Sequence, residues 1–134
     1  VQWLDIINFG LVVLIWLVQL IIYPSLAHIG EEEFTAWHRE YVGKISAVVT
    51  PLILVQMLLV LRLVFFSPSA LHFFLLACLG VIWISSFALS VPCHKKLQDR
   101  GKDPAVIRQL VRSNWIRTIL WTAVFLGGIL SGRQ

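Results

Sequence analysis

The chain has 134 residues, of which 58% are hydrophobic and only 13% charged, about half the charged share of an average soluble domain. A water-soluble fold could not cover so much apolar surface, and once the helical spans are drawn no residues remain for a separate catalytic domain. The formal charge of +4 does not point to a nucleic-acid partner, because the basic residues flank hydrophobic runs instead of forming a face, as membrane topology requires.

The first apolar stretch, 3–23, is interrupted by Asp5, Asn8 and Gln19 and matches the roughly 20 residues that cross a bilayer. It is too long for a signal-peptide core and lacks a basic leader and a small-residue cleavage site, so it is expected to be retained. Since the chain opens on Val1 instead of Met, a few residues are expected upstream. Between 31 and 44 the apolar face Phe34, Trp37, Tyr41 and Ile45 opposes Glu32, Glu33, Arg39 and Glu40, which predicts a short amphipathic helix lying on the membrane.

The second span, 45–66, carries Pro51, which should kink it, and Arg62, whose stem can snorkel to the interface. A tight turn at Ser67, Pro68 and Ser69 leads into the third span, 70–91, which holds no charge and should end at Pro92. Asp103 followed by Pro104 gives an N-cap with proline at the first helical position. The last helix has Arg108 and Arg112 on one side and Ile107, Leu110 and Val111 on the other, and is expected to enter lipid near Trp115 as the fourth span, 113–131. Gly128 and Gly132 are spaced for close helix contact or, equally, for a loosely packed end. Cys78 and Cys93 are roughly 22 Å apart along one helix at 1.5 Å per residue, too far to bridge, so cysteine usage leaves the redox compartment open.

The expected fold is therefore all-α: a single domain, 1–134, forming an integral membrane antiparallel four-helix bundle with a short interfacial helix between spans one and two. Arg39, Lys44, Lys95, Lys96, Arg100, Lys102, Arg108 and Arg112 lie on one side, and only Arg62 and Arg133 on the other. That imbalance makes the basic side cytoplasmic. Both termini then face the periplasm or exterior, and a bacterial inner membrane is the expected location.

Nearly every chemically capable side chain collects at the basic face. Tyr23, His28, Glu31, Glu32, Glu33, His38, Arg39, Glu40 and Tyr41 come from the first connection, Cys93 and His94 from the end of the third span, and Asn114, Trp115, Arg117 and Thr118 from the start of the fourth. Helical spacing extends the cluster inward through Ser86, Ser90 and His94, through Asn114, Arg117 or Thr118 and Trp121, and through Trp16, Gln19 and Tyr23. Polar groups at membrane depth must find partners, so these stripes should face the interior and line a pocket with a polar mouth.

Arg117 is the sharpest single residue. A charge within a span costs about 3 kcal/mol on insertion scales, so it needs an anionic or carbonyl-bearing ligand, a salt bridge to Glu31, Glu32, Glu33 or Glu40, or escape past Trp115. His28, His38 and His94, with a nearby carboxylate, make a candidate transition-metal site. No paired-ligand spacing within a helix supports it, and the alternative is three interfacial histidines bonded to neighbours. A haem between two of them ranks behind the metal, because such ligands usually sit within spans.

Val91, Pro92, Cys93 and His94 closing one span, with Asn114, Trp115, Ile116, Arg117 and Thr118 opening the last, resemble the anthrone oxygenase-like family of small four-span membrane proteins, largely a domain of unknown function. The likeness is carried by the second half of the chain and, in the first half, by span layout alone. His94 stands where an Asn is more usual, and Trp115 follows the Asn instead of preceding it. Members with an assigned activity oxidise polycyclic phenolic anthrones to quinones with oxygen. The resemblance implies a site built on His94, Asn114 and Arg117.

Two functions follow as expectations. In one, the chain is a membrane oxidoreductase or oxygenase-like protein acting on a flat lipophilic molecule taken from the bilayer. Asn114 and Arg117 then hold a developing phenolate or carbonyl oxygen, and His94 or His38 serves as general base. In the other, the chain is a non-catalytic accessory subunit of a larger membrane complex. A transporter is disfavoured, since four spans without repeats leave little room for alternating access.

Overall fold

A computed structural model describes residues 2–131. The described residues form four long helical rods and no strand: α1 (Trp3–His28), α2 (Glu31–Phe66), α3 (Ala70–Arg100) and α4 (Pro104–Ser131). The first three are long and apolar enough to cross a membrane. α4 is not among them, because Asn114, Arg117 and Thr118 fall within its apolar stretch. α1 packs against α2 and α4, and α3 packs against the same two. One end of the molecule gathers the α1–α2 and α3–α4 connections, where Lys102 Nζ donates to the Ile29 carbonyl at 2.7 Å. Gly101 closes α3 there at φ +85, a backbone that L side chains rarely adopt, and Asp103 Oδ1 caps α4 by accepting from the Ala105 backbone N–H at 2.9 Å.

Two helix boundaries differ from the sequence expectation for related reasons. The third helix does not end at Pro92 but runs on to Arg100, and the first runs through Pro24 to His28. In each, a π turn precedes the proline, Val18–Ile22 before Pro24 and Ser86–Ser90 before Pro92. A helical proline removes one donor and presses its ring on the carbonyl four residues back, here Leu20 and Ala88. Both carbonyls lie inside the widened turn, which absorbs the clash without ending the helix.

The expected interfacial helix is not a separate element. Residues 31–44 are the first turns of α2, a single rod of 36 residues, about 54 Å long at 1.5 Å rise per residue. Nothing between Lys44 and Ile45 interrupts it, and extending an existing helix is far easier than nucleating a new one. Its opening turns bury Phe34 and His38 inside the protein, leaving Trp37 partly exposed.

Along α2 the buried residues occur in two places only, Phe34 with His38 and Gln56 with Val60. The helix is thus pinned near each end of the bundle. Near the far end, Gln56 donates to Asn8 Oδ1 at 2.7 Å and accepts from Trp121 Nε1 at 3.2 Å, tying α2 to α1 and α4.

On the α4 side the contacts are close. A Cβ on Gly127 would lie 2.9 Å from Leu75 Cδ2, and one on Gly128 would lie 2.8 Å from Asn8 Nδ2. Gly128 therefore marks a true close approach of α1 and α4, whereas its expected companion Gly132 lies outside the described residues. Gly128→Val should cost about 1–3 kcal/mol through overpacking, read from detergent denaturation followed by helical circular dichroism. Gly10→Val, where a Cβ meets nothing within 4 Å, is the control, and equal midpoints for the two variants would contradict this packing.

Candidate functional site

Between the two pins, α2 stands off from its neighbours and a cavity of about 460 Å³ opens beneath it. Leu11, Ile15 and Val18 of α1 and Ile82 of α3 give it apolar walls, and Trp121 closes it on the α4 side. Its polar wall is at the basic end, formed by Tyr23, Tyr41, Ser90, His94 and Arg117. The lining residues that remain exposed come from α2 and α3, namely Ser46, Thr50, Leu54, Phe87 and Val91, so the cavity opens sideways between these helices.

Local backbone explains how the polar wall is assembled. Gln19 in the π turn of α1 and Tyr23 just after it are buried, and Ser90 in the π turn of α3 and His94 four residues on both line the cavity. On α4, Asn114, Arg117, Thr118 and Trp121 share one buried face, as their spacing predicted. Ser86, Ser90 and His94 likewise all line the cavity. Trp16 does not join Gln19 and Tyr23. It is exposed, edge-on to Trp115 with centroids 5.7 Å apart, and donates to Thr122 Oγ1 at 3.2 Å.

Arg117 is 8% exposed. Its Nη2 donates to Asn114 Oδ1, one helical turn away, and to Tyr23 Oη at 3.3 Å. Asn114 is itself held by Gln19, whose Oε1 accepts from Asn114 Nδ2 at 2.9 Å and whose Nε2 donates to the Val111 carbonyl at 3.1 Å. The expected salt bridge to Glu31, Glu32, Glu33 or Glu40 does not form: all four glutamates are exposed, and Glu40 pairs with Lys44. Among the described residues no carboxylate lies within ion-pair distance of the guanidinium, and Arg117 Nε is buried without a partner. A buried cation neutralised only by dipoles is a costly arrangement that an anionic or electron-rich oxygen would relieve.

From Tyr23 the hydrogen bonding continues. Tyr23 Oη is 3.1 Å from His94 Nε2, His94 Nδ1 is 3.0 Å from His38 Nε2, and His38 Nδ1 is 3.1 Å from Gln98 Oε1. The two imidazoles stack with centroids 5.2 Å apart, and Phe34 stacks on the outer face of His38 at 5.6 Å. The Gln98 carbonyl can only accept, so His38 donates from Nδ1. A neutral His38 then accepts at Nε2 from His94 Nδ1–H, which leaves His94 Nε2 to accept from the Tyr23 hydroxyl.

All four residues expected to act, His38, His94, Asn114 and Arg117, are thus joined in one network, with Arg117 and His94 on the wall of the same cavity. The expected metal trio does not assemble. His28 is exposed at the end of α1, whereas His38 and His94 bond directly to each other, and no group of three or more His, Cys, Asp or Glu among the described residues is placed to hold an ion. The 3-10 turn Leu26–His28 ends α1 just beyond the inward stripe, which accounts for the separation.

Five residues that hold or flank the site escape sequence reasoning as site residues. Tyr23, the link between Arg117 and His94, stands in the sequence among the capable side chains of the basic face and on a polar stripe, which gives it no particular role. Gln98 lies six residues beyond the proline at which the helix was expected to stop. The Asn8, Gln56 and Trp121 cluster joins isolated polar residues from three helices, and no spacing rule within one helix reveals it. No family model, curated protein or solved structure matches the chain.

The hydrogen-bond polarity has a direct readout. Nitrogen-15 spectra of histidine-labelled protein should show both imidazoles protonated on Nδ1 and a nitrogen–nitrogen coupling across the His38–His94 bond. Protons on Nε2 of both rings would reverse the chain and contradict the assignment.

Proposed function

We propose that the chain is an integral membrane protein whose four helices cross the bilayer as an antiparallel bundle, and that its cavity binds a flat, lipophilic, oxygen-bearing aromatic molecule on which it acts as an oxidoreductase or oxygenase-like catalyst. The observation that carries this reading is the buried Arg117 guanidinium, facing an apolar cavity with no carboxylate partner among the described residues. Apolar walls suit a fused-ring body, and one cationic donor at the end suits a phenolate or quinone oxygen. The opening between α2 and α3 would face lipid, which supports entry from the bilayer instead of from water.

The residues present supply acid–base chemistry and oxyanion stabilisation. Ionising a phenolic ring at its hydroxyl yields the electron-rich form that an oxidant attacks most readily, and a guanidinium at the developing charge favours that ionisation. For the oxidation implied by the anthrone oxygenase resemblance, dioxygen is the electron acceptor: an anthrone and dioxygen give the anthraquinone and water. Asn114 and Gln19 fix the guanidinium in place, and behind the Tyr23 oxygen His94 or His38 supplies the base.

Trp83 and Trp121 line the cavity and serve as reporters. 1,4-Naphthoquinone should quench the fluorescence of the purified protein saturably, and Arg117→Gln should weaken the apparent affinity about tenfold, the loss of one charge-assisted bond. Linear, unsaturable quenching that is unchanged by Arg117→Gln, in a chain that co-purifies with a larger complex, would favour an accessory subunit instead.

The proposed orientation puts the basic end in the cytoplasm of a bacterial inner membrane, following the charge imbalance. In intact cells a cysteine at Pro68 should react with an impermeant maleimide, and one at Asp99 only after permeabilisation. Cys78 and Cys93 are buried and should contribute little background. The reverse labelling pattern would overturn the orientation.

A further inference from the structure

The network on the polar wall contains more groups than are needed to hold an oxygen, and their order carries information. Arg117 and Asn114 suffice to bind an oxyanion. Beyond them lies a one-dimensional series, Tyr23, His94, His38 and Gln98, running from the cavity toward the basic end, with each link between 3.0 and 3.1 Å. Its members come from three helices, so no local backbone regularity produces it. His38 is fully buried, and a buried polar group costs free energy unless its bonds are satisfied.

We propose that this series is a proton relay in which Tyr23 meets the bound molecule, His38 is the terminal base and Gln98 is a positioning residue. This rests on the reading of the cavity as the binding site of a hydroxyl-bearing aromatic. The substrate O–H bond breaks and its proton joins Tyr23 Oη. In the same event the tyrosine's own proton passes to His94 Nε2, and the His94 Nδ1 proton passes to His38 Nε2. The substrate remains as an oxyanion beside Arg117, keeping the electron pair of the broken bond. His38 becomes an imidazolium whose second N–H stays on Gln98 Oε1, while Tyr23 and His94 end with as many protons as they began. Running the steps backward returns the proton to the oxygen.

Electrostatics gives the relay its purpose. The titratable or charged groups set against His94 are Tyr23 of α1, His38 and Tyr41 of α2 and Arg117 of α4, with no carboxylate among them. A positive charge left on His94 would stand one tyrosine oxygen from the guanidinium. Handing the proton to His38 moves that charge a full ring further away, and like-charge repulsion falls with distance. The Gln98 carbonyl then accepts from the imidazolium, and its own Nε2 is buried without another partner, so the His38 contact is what fixes the amide. Tyr23 Oη has room for this role: it lines the cavity, and one lone pair takes the Arg117 donor while the other faces the incoming hydroxyl.

The probe is alizarin, a dihydroxyanthraquinone whose absorption moves to the red on ionisation, added to the purified full-length chain in lipid nanodiscs. Wild-type protein should hold the dye in its ionised form at a pH where the dye in empty nanodiscs is neutral. Tyr23→Phe keeps the ring but cuts the relay at its first member. His38→Gln keeps an acceptor for His94 but cannot take up a proton. Each should lower the ionised-to-neutral ratio of the bound dye about tenfold, one pKa unit, and the double variant should lower it no further. Gln98→Glu should raise the ratio. A bound dye whose spectrum is indifferent to Tyr23→Phe or to His38→Gln overturns the relay while leaving the cavity reading intact. A dye that fails to bind the wild type overturns both.

Discussion

A guanidinium enclosed by protein and compensated, among the described residues, only by neutral oxygens is the constraint around which the basic half of this molecule is organised. Arg117 donates hydrogen bonds to Asn114 Oδ1 and Tyr23 Oη, and each of these residues is in turn held by a residue of another helix. Gln19 of α1 grips Asn114 and the Val111 carbonyl together, so that α1 and α4 are tied by amide hydrogen bonds where hydrophobic contact alone would leave their register loose. Removing any one of these partners would strand another buried polar group, which usually costs more than the bond itself contributes. The polar wall therefore behaves as a unit.

Prolines set the geometry of that wall. Pro24 and Pro92 each follow a π turn, and Tyr23 and His94, which come after those turns, meet oxygen to nitrogen at 3.1 Å. An unbroken α-helix through either position would rotate these side chains relative to the rest of their helices. The same two sites explain why α1 and α3 extend past their expected ends and deliver Gln98 to the network. α2 contributes differently: pinned by Phe34 and His38 at one end and by Gln56 and Val60 at the other, it bridges the space between and leaves a cavity where a closely packed helix would leave none.

Much of the fold was legible because hydropathy and helical period are strong local signals. The positions of the long apolar helices, the Asp103 cap, and the inward face of Asn114, Arg117, Thr118 and Trp121 could all be read from spacing. The convergence of His94 with Arg117 followed from placing every capable side chain at one end. What spacing could not reveal was conformation that departs from regular period. A proline inside a helical pattern ordinarily marks a boundary, and only tertiary packing decides whether a π turn absorbs it. Trp16 was drawn onto the Gln19 stripe by the same assumption of regularity. Nor could sequence separate His28 from the other two histidines, because their grouping depended on where α1 stops. The Gln56 bridge to Asn8 and Trp121 is a contact among three helices, and such contacts leave no trace within any one of them.

The proposed function requires that the Arg117 guanidinium and the His94 imidazole form one wall of a binding cavity for an oxygen-bearing aromatic. An experimental structure in lipid nanodiscs with bound 2-hydroxy-1,4-naphthoquinone tests it most directly. The ring system should lie between α2 and α3, with one oxygen at about 2.7–3.2 Å from an Arg117 nitrogen and within reach of Tyr23. Arg117 turned onto a glutamate or a lipid phosphate, with acyl chain filling the cavity and the naphthoquinone elsewhere, would contradict it.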